Sequence, residues 1–246
     1  MEPAPSFAAV LDKISGIDGW LSDDQALRLW TRGRGVSGGG RIVEVGSFRG
    51  RSTIVLASAA PPGVEVVAID PHAGNDRGPR EIEGFVAEAD EDSAIFLANL
   101  EASDVRPRVR YLRARSDEAH ADVEGGIDLL YIDGAHRYGP ARADIRQWGD
   151  RVDPGGVMLV HDAFSSVGVT LALVRECFWS GRWRYAGRSR SLVEYRRESS
   201  PRAANLGRQL AQLPWFFRNV LIKALIVVRL GRLTRLLGHR DPTWPY

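Results

Sequence analysis

The most constraining stretch of this chain is Arg41-Ile-Val-Glu-Val-Gly-Ser-Phe-Arg-Gly-Arg-Ser-Thr-Ile-Val-Leu-Ala57. It opens with an apolar, β-branched run, Ile42 to Val45, long enough for a buried strand. Gly46 and Gly50 bracket a turn, and from Ser52 onward the apolar spacing becomes helical, with Ser52 placed to cap the helix. A glycine-rich turn between strand and helix lets backbone N–H groups approach a ligand without Cβ interference. The helix N-terminus there favours a carboxylate or phosphate.

The ligand follows from charge. A dinucleotide fingerprint needs G-x-G-x-x-G, whereas here Glu44, Gly46, Ser47, Gly50 and Ser52 stand in another pattern, with an acidic residue in the strand. A carboxylate two residues before the first glycine repels a pyrophosphate and pairs with an ammonium. S-adenosylmethionine carries an ammonium, a carboxylate and a sulfonium, and it suits this turn better. Val64 to Ile69 reads as a second buried strand ending in Asp70, about 20 residues past the turn, where an acidic side chain can accept both ribose hydroxyls. The stretch resembles the first motif of class I S-adenosylmethionine-dependent methyltransferases. That resemblance implies an α/β fold with a Rossmann-like, mostly parallel seven-stranded sheet, helices on both faces and a C-terminal antiparallel hairpin. It also places Ser116 and Asp117, after a third strand at Val109 to Leu112, beside the adenine.

Composition limits the alternatives. At 246 residues, 44% hydrophobic and 26% charged, the chain suits one globular α/β domain with an appendage. The single cysteine, Cys177, rules out a disulfide framework or a cysteine metal cluster and reads as core. No basic region followed by a long apolar core is evident at the N-terminus, so a cytoplasmic location is expected. Residues 1–40 read as short helices, begun at Ser22-Asp23-Asp24, and a glycine-rich connector from Gly33 to Gly40. Residues 41–200 read as the cofactor-binding domain and 201–246 as a basic extension.

The second half carries the chemistry. Leu129 to Ile132 reads as a strand ending at Asp133, with His136 three residues later; Asp153-Pro-Gly-Gly156 then leads into Val157 to Val160, which ends in His161-Asp162. Neighbouring strand ends thus deliver two carboxylates and two imidazoles, a donor set that can hold a metal ion. The alternative is that Asp133 and Asp162 cap helices and His136 is solvated. The order Asp-Gly-Ala-His-x-Tyr, Asp-Pro-Gly-Gly and His-Asp resembles metal-dependent O-methyltransferases of the macrocin and mycinamicin type, and more distantly catechol O-methyltransferase. The resemblance covers residues 41–197. It implies Mg²⁺ held by Asp133 and the acidic pair at the next strand end, here His161 and Asp162, with His136 as general base. His161 stands where the antibiotic-sugar enzymes have a carboxylate, which opens the site to Mn²⁺.

The expected reaction is therefore methyl transfer to a hydroxyl of a sugar, oligosaccharide or other polyhydroxylated metabolite. Catechol-like acceptors, a non-catalytic cofactor-binding scaffold and a nicotinamide-dependent oxidoreductase are the alternatives; Glu44 and the missing G-x-G-x-x-G count against the last. His72, in the loop after Asp70, reads as a surface histidine and a reserve candidate base. No nucleic-acid partner is expected. Residues 201–246 carry eight basic side chains against Asp241 alone, a net +7, which leaves residues 1–200 at −5. The apolar run from Val220 to Val228 is too short for a membrane span. This tail is expected to pack on its own domain or on a second subunit in a homo-oligomer, with peripheral contact to an anionic membrane as the alternative.

Overall fold

The computed structural model describes residues 5–73 and 86–239; part of the loop expected at 71–79 and the start of the helix expected from Glu81 lie outside the described residues. Seven strands form one sheet: β1 (Arg41–Val45), β2 (Glu65–Ile69), β3 (Val109–Leu112), β4 (Ile127–Ile132), β5 (Val152–Val160), β6 (Trp183–Ser189) and β7 (Leu192–Arg197). Their order is β3-β2-β1-β4-β5-β7-β6, parallel from β3 to β5 and antiparallel at β5-β7-β6. The strand order reverses between β1 and β4, so a ligand crevice is expected beyond their C-terminal ends.

Both faces of the sheet are covered. One face packs under α1 (Phe7–Ile14), α2 (Asp23–Arg34) and α3 (Arg51–Ala59), with Ile42, Leu129 and Tyr131 in the same apolar cluster as Val10, Leu29 and Trp30. The other packs Val43, Val45, Leu130 and Ile132 against residues of α5 (Tyr138–Gln147) and α6 (Val167–Leu173). Strand periodicity explains the division, because alternate side chains of β1 and β4 point to opposite faces. The remaining long helix, α4 (Val86–Ala102), contributes Phe96 and Leu100 to the first cluster.

The N-terminal segment is fastened to the far end of the sheet. Gln25 accepts from the backbone N–H of Ser22 (2.9 Å), closing the first turn of α2 at the expected cap. Arg28 and Arg32 of the same helix pair with the buried Glu194 of β7 at 2.6 and 2.9 Å. The glycine connector is shorter than expected, since α2 continues to Arg34 and buries Gly33 against α3.

The tail folds as α7 (Arg202–Leu210) and α8 (Leu213–Val227), followed by a 3₁₀ helix at Gly231–Leu237. Asn205 of α7 caps the outer strand, accepting from Tyr185 N (2.8 Å) and donating to Trp183 O (2.7 Å). In α8, Asn219 donates to Phe164 O (3.1 Å) and Lys223 to Ser165 O (2.8 Å). Packing on its own domain, one of the expected arrangements, is therefore observed. Taken together, Arg202–Val227 are long and apolar enough by length and composition to cross a membrane, a correction to the expectation drawn from the shorter run Val220 to Val228.

Candidate functional site

Main-chain hydrogen bonds stitch four strand ends into one rim. Gly46 N donates to Ile69 O (2.8 Å), Asp133 N to Val45 O (2.8 Å) and His161 N to Ile132 O (2.9 Å). Gly46 makes the junction possible. Its φ is +88°, and a Cβ there would lie 2.4 Å from the carbonyl oxygen of Asp133. The turn after it ends at Gly50, which has φ +88° and is the N-cap of α3. Ser52, expected as that cap, lies inside the first turn instead, because the left-handed glycine already starts the helix.

Period-two alternation puts Glu44 on the same face as Ile42, beneath α3. Its carboxylate is fully buried and accepts the hydroxyl hydrogens of Ser52 and Thr53. Burial pushes the group up to about 7, with the two hydroxyls opposing the shift. Glu44 thus fastens α3 to β1 from behind the turn and does not line the cleft, a correction to its expected pairing with a cofactor ammonium. Gly50 also stays behind the cleft, against Phe96.

A cleft of about 650 Å³ opens over the rim, lined by Gly46, Ser47, Ser52, Asp70, Ser116 and Asp117 from the expected cofactor set, and by Asp133 and His136. Asp70 projects from the end of β2 and accepts from the backbone N–H groups of Ser47 (2.8 Å), Phe48 (2.9 Å) and His72 (2.8 Å). Those bonds pin the glycine turn to the acidic side chain. Ser116 donates to Asp144 of α5, a cleft residue missing from the expectations, whose carboxyl is pushed up to about 6 by burial. Asp117 pairs with Arg115 at 3.0 Å on the exposed side.

His72 is not on the surface. It is 4% exposed with φ +41°; Nε2–H donates to Phe48 O and Nδ1 accepts from the Tyr111 hydroxyl, both at 2.6 Å. Both ring nitrogens are thus committed to holding the turn, which removes the reserve candidate base. Asp18 and Trp20, between α1 and α2, complete one wall of the cleft, and Trp20 packs on Phe48 with ring centroids 5.5 Å apart.

Asp133 and His136 line the cleft, Asp162 is buried behind them, and ligand atoms of the three lie within 4.8 Å of one another. Tyr131 donates to Asp133 Oδ2 (2.9 Å), and His136 Nε2–H donates to Asp162 Oδ2. Asp133 Oδ1, Asp162 Oδ1, His136 Nδ1 and His161 Nδ1 are all buried without a well-formed hydrogen bond, the two oxygens facing His161 Nδ1 at 3.2 and 3.6 Å. Two carboxylates beside imidazole nitrogens are a donor set that fits a divalent cation. Asp162 and Phe164 hold left-handed backbone angles, φ +55° and +57°, in the turn that delivers the second carboxylate.

His161 sits against both carboxylates from the buried side. It is 2% exposed, with Nδ1 at 3.2 Å from Asp133 Oδ1 and 3.6 Å from Asp162 Oδ1, and Nε2 at 3.4 Å from Gln25 Oε1. Burial would lower its pKa, but the two carboxylates outweigh that and push the imidazole up to about 10. Burial likewise opposes ionisation of Asp162, yet His161 and His136 hold that carboxyl well below the usual range. His161 therefore backs the carboxylates as a partner, while His136 completes the three-residue group.

Comparisons with known proteins agree with this fold. Residues 43–163 match the family described as a methyltransferase domain. The curated "Uncharacterized protein y4gI" of Sinorhizobium fredii is 32% identical over 127 residues; these are 50% of this chain, and the chain spans 13% of that relative. Among solved structures, the O-methyltransferase NovP matches with TM-score 0.57 at 18% identity, covering 73% of this chain and 83% of that one. The O-methyltransferase TomG from Streptomyces achromogenes, involved in tomaymycin synthesis and solved with S-adenosylmethionine, matches with TM-score 0.52 at 18% identity, covering 79% and 88%. An O-methyltransferase from Bacillus cereus, solved in complex with SAH, matches with TM-score 0.51 at 16% identity, covering 77% and 90%. At these identities the solved structures speak to fold.

Proposed function

We propose, from the match of residues 43–163 to a methyltransferase domain and a fold like that of S-adenosylmethionine-dependent O-methyltransferases, that this protein methylates a hydroxyl oxygen with help from a divalent cation. The observation that carries the reading is one cleft lined by the Asp70-pinned glycine turn and by Asp133 and His136, with Asp162 buried behind His136. Bound S-adenosylmethionine supplies the methyl group from its sulfonium, the electron pair of the broken C–S bond staying on sulfur. A divalent cation, when bound, acidifies and orients the acceptor hydroxyl.

The chain's own residues do the rest. Asp70 binds the ribose hydroxyls, and the turn at Gly46 and Ser47 receives the methionine end. Ser116 and Asp117 border the adenine. Asp133 and Asp162 hold the cation through hard oxygen atoms suited to Mg²⁺ or Mn²⁺. His136 takes the hydroxyl proton at Nδ1, with Nε2–H oriented by Asp162 in the way a carboxylate orients a catalytic imidazole. His161, held against both carboxylates and Gln25, positions them. A sugar or other polyhydroxylated metabolite is the acceptor class, on the resemblance to antibiotic-sugar enzymes.

A second reading makes His136 the third ligand through Nε2, which its membership of the three-residue group favours. A mixed nitrogen and oxygen set then suits Mn²⁺ better than Mg²⁺. The test is turnover of S-adenosylmethionine against sugars, glycolipid precursors and catechols, with chelator, Mg²⁺ or Mn²⁺. Cation-dependent methylation of a hydroxylated acceptor is expected. Full turnover in excess chelator, with metal absent by elemental analysis, contradicts the cation's role, and methylation restricted to amines contradicts the acceptor class.

A further inference from the structure

The C-terminal appendage has a geometry that the site does not use. The 3₁₀ helix Gly231–Leu237 has three residues per turn, so side chains at i and i+3 eclipse one another and form rows. One row faces the body: Thr234 is 4% exposed, Gly231 and Leu237 flank it half-buried, and Arg218 of α8 donates to Leu237 O (2.7 Å). The second row is Leu233 and Leu236, 46% and 83% exposed. The third is Arg232 and Arg235, both exposed. At the end of α8 and in the turn before the 3₁₀ helix, Val227, Val228 and Leu230 are 68%, 60% and 51% exposed, and Arg229 is exposed beside them.

An outward apolar row beside an outward cationic row is the pattern of a helix lying in a membrane interface. The leucines enter the acyl boundary, and the guanidinium groups meet lipid phosphates. Charge complementarity selects the occupant. Residues 202–239 contain no carboxylate side chain, so a second copy pairing this face with itself, as a two-fold interface requires, would set arginine against arginine. We propose that the face formed by Val227–Leu236 docks on an anionic lipid surface. Through Asn219 and Lys223 the docked appendage is hydrogen-bonded to Phe164 and Ser165, in the same turn as Asp162.

Co-sedimentation of the full chain with vesicles tests this independently of methyl transfer. Phosphatidylglycerol–phosphatidylcholine vesicles should pellet the protein at low salt, and pure phosphatidylcholine should not. The pair Arg232→Gln and Arg235→Gln should weaken binding roughly thirtyfold, about fivefold per arginine. The pair Leu233→Ser and Leu236→Ser should also release the protein. Because these side chains are exposed, circular dichroism and thermal unfolding should not change in either variant. No binding to anionic vesicles by the wild type, or equal binding by either variant, overturns the proposal. So does a dimer in sedimentation analysis that the leucine variant dissociates without any vesicle binding, which assigns the face to a second copy.

Discussion

Replacing Glu44 by glutamine should make the protein more stable above neutral pH. The carboxyl is completely buried and pushed from 4.5 to about 7. Between those values the folded state keeps a proton that the unfolded state has lost, so stability falls as pH rises through this window. At about 1.4 kcal/mol per pH unit, the loss is about 3 kcal/mol and is complete above pH 7. Being fully buried, the group is not screened by solvent. The substituted amide would mimic the neutral acid, with its carbonyl accepting from one of Ser52 and Thr53 and its NH₂ group donating to the other. The assay is denaturant unfolding of both proteins from pH 4.5 to 8.5 with chelator present. The curves should coincide at the acidic end and diverge to about 3 kcal/mol in favour of Glu44→Gln at the alkaline end. Parallel curves would show that Glu44 is ionised in the folded protein and refute the argument.

The other predictions concern the rim and the cluster. Gly46→Ala forces a Cβ against the Asp133 carbonyl in a left-handed backbone; it should cost about 2–4 kcal/mol in stability and weaken cofactor binding by calorimetry, and wild-type values would contradict the junction. His136→Ala should lower kcat by about 10²–10⁴ with cofactor and cation affinity unchanged if it is the base, the loss shrinking at alkaline pH; lost cation binding would make it a ligand instead. Asp133→Asn should abolish cation binding in a calorimetric titration with Mn²⁺ while cofactor affinity persists, and intact cation binding would remove Asp133 from the ligand set.

The sheet was legible because its strands are unambiguous. Ile42–Val45, Val64–Ile69 and Leu129–Ile132 are short, mostly apolar runs between turn signals, and their order allowed the doubly covered parallel arrangement. The positions of Asp70, Asp133 and Asp162 were legible for the same reason, as acidic residues at or just beyond the ends of such runs. Glu44 was also within reach. Alternation along Ile42-Val-Glu-Val45 puts it on the same face as Ile42, where Ser52 and Thr53 donate to its carboxylate.

What escaped depends on contacts distant in sequence. His72 is buried only because Tyr111 and Phe48 take both ring nitrogens. Asp144 enters the cleft through Ser116, 28 residues earlier. The contact of His161 with Gln25 depends on a helix that Arg28 and Arg32 tie to Glu194, 166 and 162 residues away. No local spacing encodes these pairings.

The central claim is transfer of a methyl group from S-adenosylmethionine to an oxygen atom, and following that carbon tests it most directly. The protein would be incubated with S-adenosylmethionine carrying ¹³C in the methyl group, a hydroxylated acceptor and Mg²⁺ or Mn²⁺, and the product examined by NMR. The account predicts an O-methyl ether carbon whose appearance requires the cation and is suppressed in His136→Ala. Label recovered on nitrogen, on carbon, or only in unreacted cofactor across the acceptor panel would contradict it.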